Sequence, residues 1–232
     1  MNEKPDWTGL FKIGAISALL IVLVYFVELV IILLFGLPPN NAEEWLILLQ
    51  KNKLVGLIQT LAPDIIAVAC HAPVFIALFY FLRQTKKGYI SLVLAVVFAL
   101  IGMAVYFATN ITFSMLYLSD QFASATTEAQ KSQILNSAQT LLAVYNGTGP
   151  FVAFFLYAVA GILISVVMLQ SHLFSRGVAI AGIVGNALEL GLPPSVDPAF
   201  FLQIDPYLIG IGGVILIFWY IAIAVKLYRV SL

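Results

Sequence analysis

Asp64 and His71 stand seven residues apart in Leu61-Ala-Pro-Asp64-Ile-Ile-Ala-Val-Ala-Cys70-His71-Ala-Pro73, an acid and an imidazole inside otherwise apolar sequence. Two further acids, Glu28 and Glu189, interrupt other apolar stretches; Asn186 precedes Glu189 by one helical turn, and Gln59 and Asn110 are uncharged companions. No Lys or Arg lies at comparable depth to pair with them. A carboxyl in low dielectric without a fixed counter-charge either keeps its proton or binds a cation. Ionisable residues inside spans are costly and mark functional sites by default. The chemistry open to Glu28, Asp64, His71, Asn186 and Glu189 is therefore proton or cation handling.

Each of these residues also has a plainer explanation. An acid within a turn or two of the interface reaches headgroups or water and needs no further role. A neutral imidazole hydrogen-bonded between helices is commoner than a ligand or relay. Gly177, Ala181, Gly185 and Glu189 fall on one four-residue ridge, which reads as a packing face with Gly210, Gly212 and Gly213 as the surface it meets.

The elements that must position these groups are membrane helices. Hydrophobic residues make up 62% and charged residues 9% of the chain, whereas soluble domains carry about 25% charged. Lys+Arg and Asp+Glu balance at 11 each, with no basic tract, which argues against nucleic acid as a partner. Cys70 is the single cysteine, so no intramolecular disulfide can form, and it reads as a small apolar side chain.

The expected fold is an all-α polytopic integral membrane protein, one domain over residues 1–232, with six spans at roughly 10–36, 54–82, 89–116, 150–170, 177–192 and 206–225. The first is too long for a cleaved signal peptide. The second has two defensible starts: near residue 54, with kinks at Pro63 and Pro73 and Asp64 near mid-membrane, or at Pro63. In the latter case Asp64 sits in the first turn at the surface, where it complements the helix dipole. The Pro63 start is favoured, because Pro150 and Asp205-Pro206 look like openers of later spans. His71 then lies about 10 Å of helix rise below Asp64, on nearly the same face. Pro193-Pro194 is expected to stop the fifth span.

Short helices are expected in the loops. Asn41 with Glu44, and Thr127 with Gln130, have the capping-box spacing. The second helix carries an apolar face of Ile134, Leu135, Ala138, Leu141, Leu142 and Tyr145 within the long polar segment 119–145. Most basic residues, among them Lys12, Arg83, Lys86, Lys87, Arg176, Lys226 and Arg229, fall on the side of the termini, so the positive-inside rule expects both termini to be cytoplasmic. By rise along their helices, Glu28 and Glu189 belong to the outer half of the bilayer, where with Asp64 they could face one outward-open cavity.

The two histidines, His71 and His172, cannot share a metal site in this topology, and no cofactor signature is present. Neither H-E-x-x-H nor G-x-S-x-G occurs, and Ser114 and Ser165 read as helix polar packing.

Several stretches together resemble a bacterial family of multi-span membrane proteins known only as a domain of unknown function, the 4386 family. These are Asn41-Ala-Glu-Glu-Trp45 with Leu54-Val-Gly-Leu57, Tyr106-Phe-Ala-Thr-Asn110 leading into Phe113-Ser-Met-Leu and Leu118-Ser-Asp-Gln-Phe122, Tyr145-Asn-Gly-Thr148, and Phe174-Ser-Arg176 with Gly182-Ile-Val-Gly-Asn186. The resemblance implies a bacterial inner or plasma membrane location and about six helices, and supplies no substrate or functional residues.

Three functional classes remain open. The first is a non-enzymatic component that senses, scaffolds or regulates through the lipid bilayer, a membrane partner or a second copy of itself. The alternative is a small proton- or cation-linked transporter using the intramembrane acids. The third is an intramembrane enzyme.

Overall fold

The computed structural model describes residues 6–60, 62–190 and 198–232, with residues 198–207 and 209 described by backbone alone. Ten α-helices run through these segments: α1 Thr8–Phe35, α2 Ala42–Lys51, α3 Lys53–Gln59, α4 Asp64–Leu82, α5 Tyr89–Thr109, α6 Thr112–Ser124, α7 Glu128–Tyr145, α8 Thr148–Ser171, α9 Arg176–Glu189 and α10 Pro198–Val230. No strand occurs among the described residues. Five helical stretches, Thr8–Phe35, Lys53–Thr85, Tyr89–Ser124, Glu128–Ser171 and Gly210–Val230, are long and apolar enough to cross a membrane.

Six helices close into a ring in chain order, α1 against α4, α4 against α5, α5 against α8, α8 against α9, α9 against α10 and α10 back against α1, while α4 and α8 also touch across the ring. Neighbours run antiparallel. Gly14 and Tyr25 of α1 face Leu227 and Tyr220 of α10, in reversed order. Association in lipid rests on close fit rather than on a hydrophobic driving force, and small residues supply that fit here. Gly14 lies where a side chain would meet Ala77 at 2.6 Å and the Pro73 carbonyl at 3.3 Å, and Gly102 sits 3.0 Å from the Ala153 carbonyl by the same measure.

The remaining helices, α2, α3, α6 and α7, cover one end of the ring and bury a second core of Trp45, Leu46, Leu49, Ile111, Met115, Ala138 and Leu142. Their ends are set by local chemistry. The Asn41 side chain accepts from the Glu44 N–H at 2.9 Å, and Thr127 and Gln130 form a reciprocal capping box. The expected apolar face of α7 is the one packed against this core.

Of the two expected starts for the second span, the structure has the favoured one: Thr60 closes α3 by turning its hydroxyl back to the Leu57 carbonyl at 3.0 Å, and α4 opens only after Pro63, so the longer span 54–82 is two helices. Three further expected boundaries are corrected. The span 89–116 breaks at Asn110, whose extended backbone ends α5 and whose side chain accepts from the Thr112 N–H to start α6. Asp205-Pro206 does not open the last helix. α10 already starts at Pro198, since proline fits a first turn and a later one is tolerated where neighbouring groups stand in for its missing N–H. The stretch 177–192 is helical over Arg176–Glu189, which at about 1.5 Å per residue spans roughly 21 Å, short of the roughly 30 Å hydrocarbon core. The expected stop at Pro193-Pro194 lies outside the described residues.

Candidate functional site

Glu28, seven residues from the end of α1, Asp64 at the first position of α4, and Glu189 at the last position of α9 all come to the covered end of the ring. Local structure puts them there. The break between α3 and α4 is held from both sides, by the Gln59 side chain donating to the Gly36 carbonyl at the end of α1 at 2.9 Å, and by the Thr112 hydroxyl donating to the Thr60 carbonyl. Asp64 is thereby carried inward. It occupies the first turn, as the Pro63 start requires, but it is 7% exposed, not on the surface as expected from that start, because α1 packs along α4 and sets Glu28 against it.

Glu28 and Asp64 are hydrogen-bonded to each other through their carboxyl groups, and Glu189 lies within electrostatic reach of both. A hydrogen bond between two carboxyls needs one proton to donate. The second Glu28 oxygen, Oε1, is buried and has no partner among the described residues. Glu189 reaches the pair over the Gly212 and Gly213 surface of α10, its Cγ and Oε1 lying 3.2 and 3.7 Å from where side chains on those glycines would begin. So the expected ridge is a packing face at Gly185, which meets Leu216, while no atom lies within 4 Å of a side chain at Gly177 or Gly210.

His71 lies two turns deeper on α4 and is 5% exposed. Its Nδ1 is 2.8 Å from the Ala67 carbonyl. Since a carbonyl only accepts, Nδ1 carries the proton and Nε2 is left as an acceptor. Its ring packs on Tyr157 of α8 at 4.7 Å between centroids and on Tyr220 of α10 at 5.7 Å, edge-on. The Tyr157 hydroxyl is buried without a partner among the described residues, and Asp64 acts on it electrostatically. Tyr157 thus touches the imidazole and lies within electrostatic range of the acids. Tyr25 and Tyr220 meet edge-on at 6.3 Å and both feel the Glu189 charge.

The structure therefore sets Glu28 against Asp64 with Glu189 within electrostatic range, packs His71 on Tyr157 and Tyr220, and leaves Asn186 apart. The Asn186 side chain donates to the Gly182 carbonyl of its own helix at 2.7 Å and presses on Gly161 of α8. The tyrosines Tyr25, Tyr157 and Tyr220 were not anticipated. Tyrosine is enriched at the membrane interface, so a tyrosine well inside an apolar helix was the available signal. The grooves on the surface lie elsewhere: one of about 610 Å³ runs between α6 and α7, lined by Phe113, Ser114, Tyr117, Leu118, Ser137, Thr140 and Leu141. Ser165 has its hydroxyl buried without a partner, against Gly182 and close to Trp219.

Among the described residues no three His, Cys, Asp or Glu side chains are grouped closely enough to hold a metal ion. Fold and site together define a helical protein with apolar helices able to cross a membrane and an interior cluster of acids and tyrosines. No family model, no curated protein and no solved structure matches the chain.

Proposed function

We propose that this chain is a six-span protein of a bacterial inner or plasma membrane, with cytoplasmic termini, that moves protons through the Glu28, Asp64 and Glu189 site in a proton-linked transport process. The observation that carries the reading is the placement of three carboxyls from three different helices within electrostatic range of one another, one pair of them sharing a hydrogen bond, with no basic side chain paired with them among the described residues. Such an arrangement is costly to bury and is poised to take up and release protons. A proton is favoured over a metal cation because the Glu28–Asp64 contact already needs one and the acids are not spaced as metal ligands. In this reading α9 supplies the sixth, short span, α2 and α7 lie along the outer interface, and the family resemblance supplies the bacterial membrane.

The convergence of the acids favours proton handling over the regulator class. The test is proton flux in proteoliposomes carrying the purified protein, with an internal pH dye and an imposed gradient. Flux that Asp64→Asn and Glu189→Gln each abolish is the expected result. Wild-type flux no greater than that of empty liposomes, with and without candidate co-substrates, overturns it.

One observation favours the regulator reading instead. Phe113 and Tyr117 are exposed on the rim of the α6–α7 groove, where a membrane partner could be held. That reading expects Phe113→Ala with Tyr117→Ala to abolish function and acid neutralisation to be harmless.

A further inference from the structure

The opposite end of the ring, where α1 begins and α4 ends, holds a cation built into aromatic rings. Arg83 follows directly on α4, and its guanidinium carbon lies 4.2 Å from the centre of the Tyr80 ring, 5.7 Å from Trp7 and 5.9 Å from Phe79. Trp7 and Tyr80 are themselves in contact, with ring centroids 3.9 Å apart and planes at 32°. Trp7 comes from the residue before α1, so the rings tie two helices together beneath the cation.

A guanidinium laid on ring faces is held by cation–π attraction and loses little freedom on binding, while its edge keeps its N–H donors free. Among the described residues no carboxylate pairs with Arg83, and no acceptor takes its N–H groups. Asp6, the residue before Trp7, is engaged by the Thr8 N–H at 2.9 Å. The neighbouring Lys87 is also occupied, its ammonium donating to the Gln170 carbonyl at 3.1 Å, whereas Lys86 is exposed. The arrangement is a planar donor fork, stacked and unspent, with a second cation close by. That is the chemistry that receives a phosphate oxyanion.

We propose that Arg83, backed by Trp7 and Tyr80, is a receptor for the phosphate of an anionic phospholipid. A lipid is chosen over a free anion for two reasons. Trp and Tyr rings at a helix end mark the headgroup layer of a bilayer. The adjoining faces of α1 and α5 are apolar and exposed at Ile13, Ile16 and Ile90, which suits acyl chains below the headgroup. The lipid would hold the start of α1 against the end of α4.

Thermal unfolding of the full chain in detergent, titrated with phosphatidylglycerol, phosphatidylcholine or inorganic phosphate, tests this. Wild type is expected to be stabilised by phosphatidylglycerol far more than by phosphatidylcholine, and not by inorganic phosphate. Arg83→Gln weakens the apparent affinity for phosphatidylglycerol about tenfold, the loss expected for one charge-assisted hydrogen-bonding group. Arg83→Lys keeps the charge but not the stacked fork and recovers only part of it. Arg229→Gln, which removes an exposed cation from the last turn of α10, leaves the titration unchanged. Equal losses in Arg83→Gln and Arg229→Gln would mean diffuse attraction to a basic end and overturn the site. Stabilisation by inorganic phosphate as large as that by the lipid would overturn the lipid as occupant.

Discussion

The hydroxyl of Thr112, the first residue of α6, donates a 2.6 Å hydrogen bond to the carbonyl of Thr60, 52 positions earlier, at the break between α3 and α4. Both residues are buried, so water cannot replace either partner. This bond fixes the break, and the break fixes where α4 starts and hence where Asp64 points. Thr112→Val keeps the shape and removes the donor, leaving a buried carbonyl unpaired at a cost of about 1–3 kcal/mol. Thermal melts should show that loss, and Thr112→Ser, which restores the hydroxyl, should recover most of it. Equal stability in all three proteins would show that the bond does not hold the break.

Gly161 and Asn186 make the corresponding test of the α8–α9 contact. A methyl group on Gly161 would collide with the Asn186 side chain, which is itself tied to the Gly182 carbonyl. Gly161→Ala should therefore cost about 1–3 kcal/mol by overpacking. Gly177, on the same face as the expected ridge, has nothing within 4 Å of the added methyl, so Gly177→Ala should be neutral or stabilising by up to about 1 kcal/mol. Comparing the two melts separates steric contact from the general effect of losing a glycine.

What could be read along the chain divides by range. The caps at Asn41 and Thr127 were legible because an N-cap involves a side chain and a backbone N–H three residues on, which spacing alone reveals. The burial of Asp64 was not. It depends on Gln59 reaching Gly36 and on Thr112 reaching Thr60, contacts between segments whose pairing no periodicity encodes. Rise along the helices put Glu28, Asp64 and Glu189 at one level, where they could share an outward-open cavity, but which helices lie side by side, and so which acids approach, required the closed ring. Pro206 misled for a further reason: its φ suits a helix, and Pro198 offers an equally good opening about two turns earlier.

The Thr127 cap gives a local prediction. Its side chain accepts from the Gln130 N–H at 3.2 Å while the Gln130 side chain accepts from the Thr127 N–H at 3.2 Å, and both residues are exposed. Thr127→Ala should lower the stability of α7 by about 1 kcal/mol, and faster hydrogen exchange should be confined to the first turns of α7. Exchange that rises equally in α5 or α8 would mean that α7 is not the independent cover its separate core suggests.

Tyr157 offers the most direct separation of packing from proton handling. Its ring rests on His71 and its hydroxyl, buried at a residue only 8% exposed, has no partner among the described residues and lies within electrostatic range of Asp64. If the hydroxyl only fills space, removing it relieves an unpaired buried group, so Tyr157→Phe should be as stable as wild type or slightly more so. On the proton-handling reading the hydroxyl passes a proton between Asp64 and His71. Its loss should then slow flux by about a hundredfold, the lower end of what a positioned acid–base group contributes, without loss of stability. Full flux in a stable Tyr157→Phe protein would take Tyr157, and with it His71, out of the path and confine the chemistry to the three acids. Slowed flux at unchanged stability would extend the path inward by two turns of α4, toward the end of the ring where Arg83 stands.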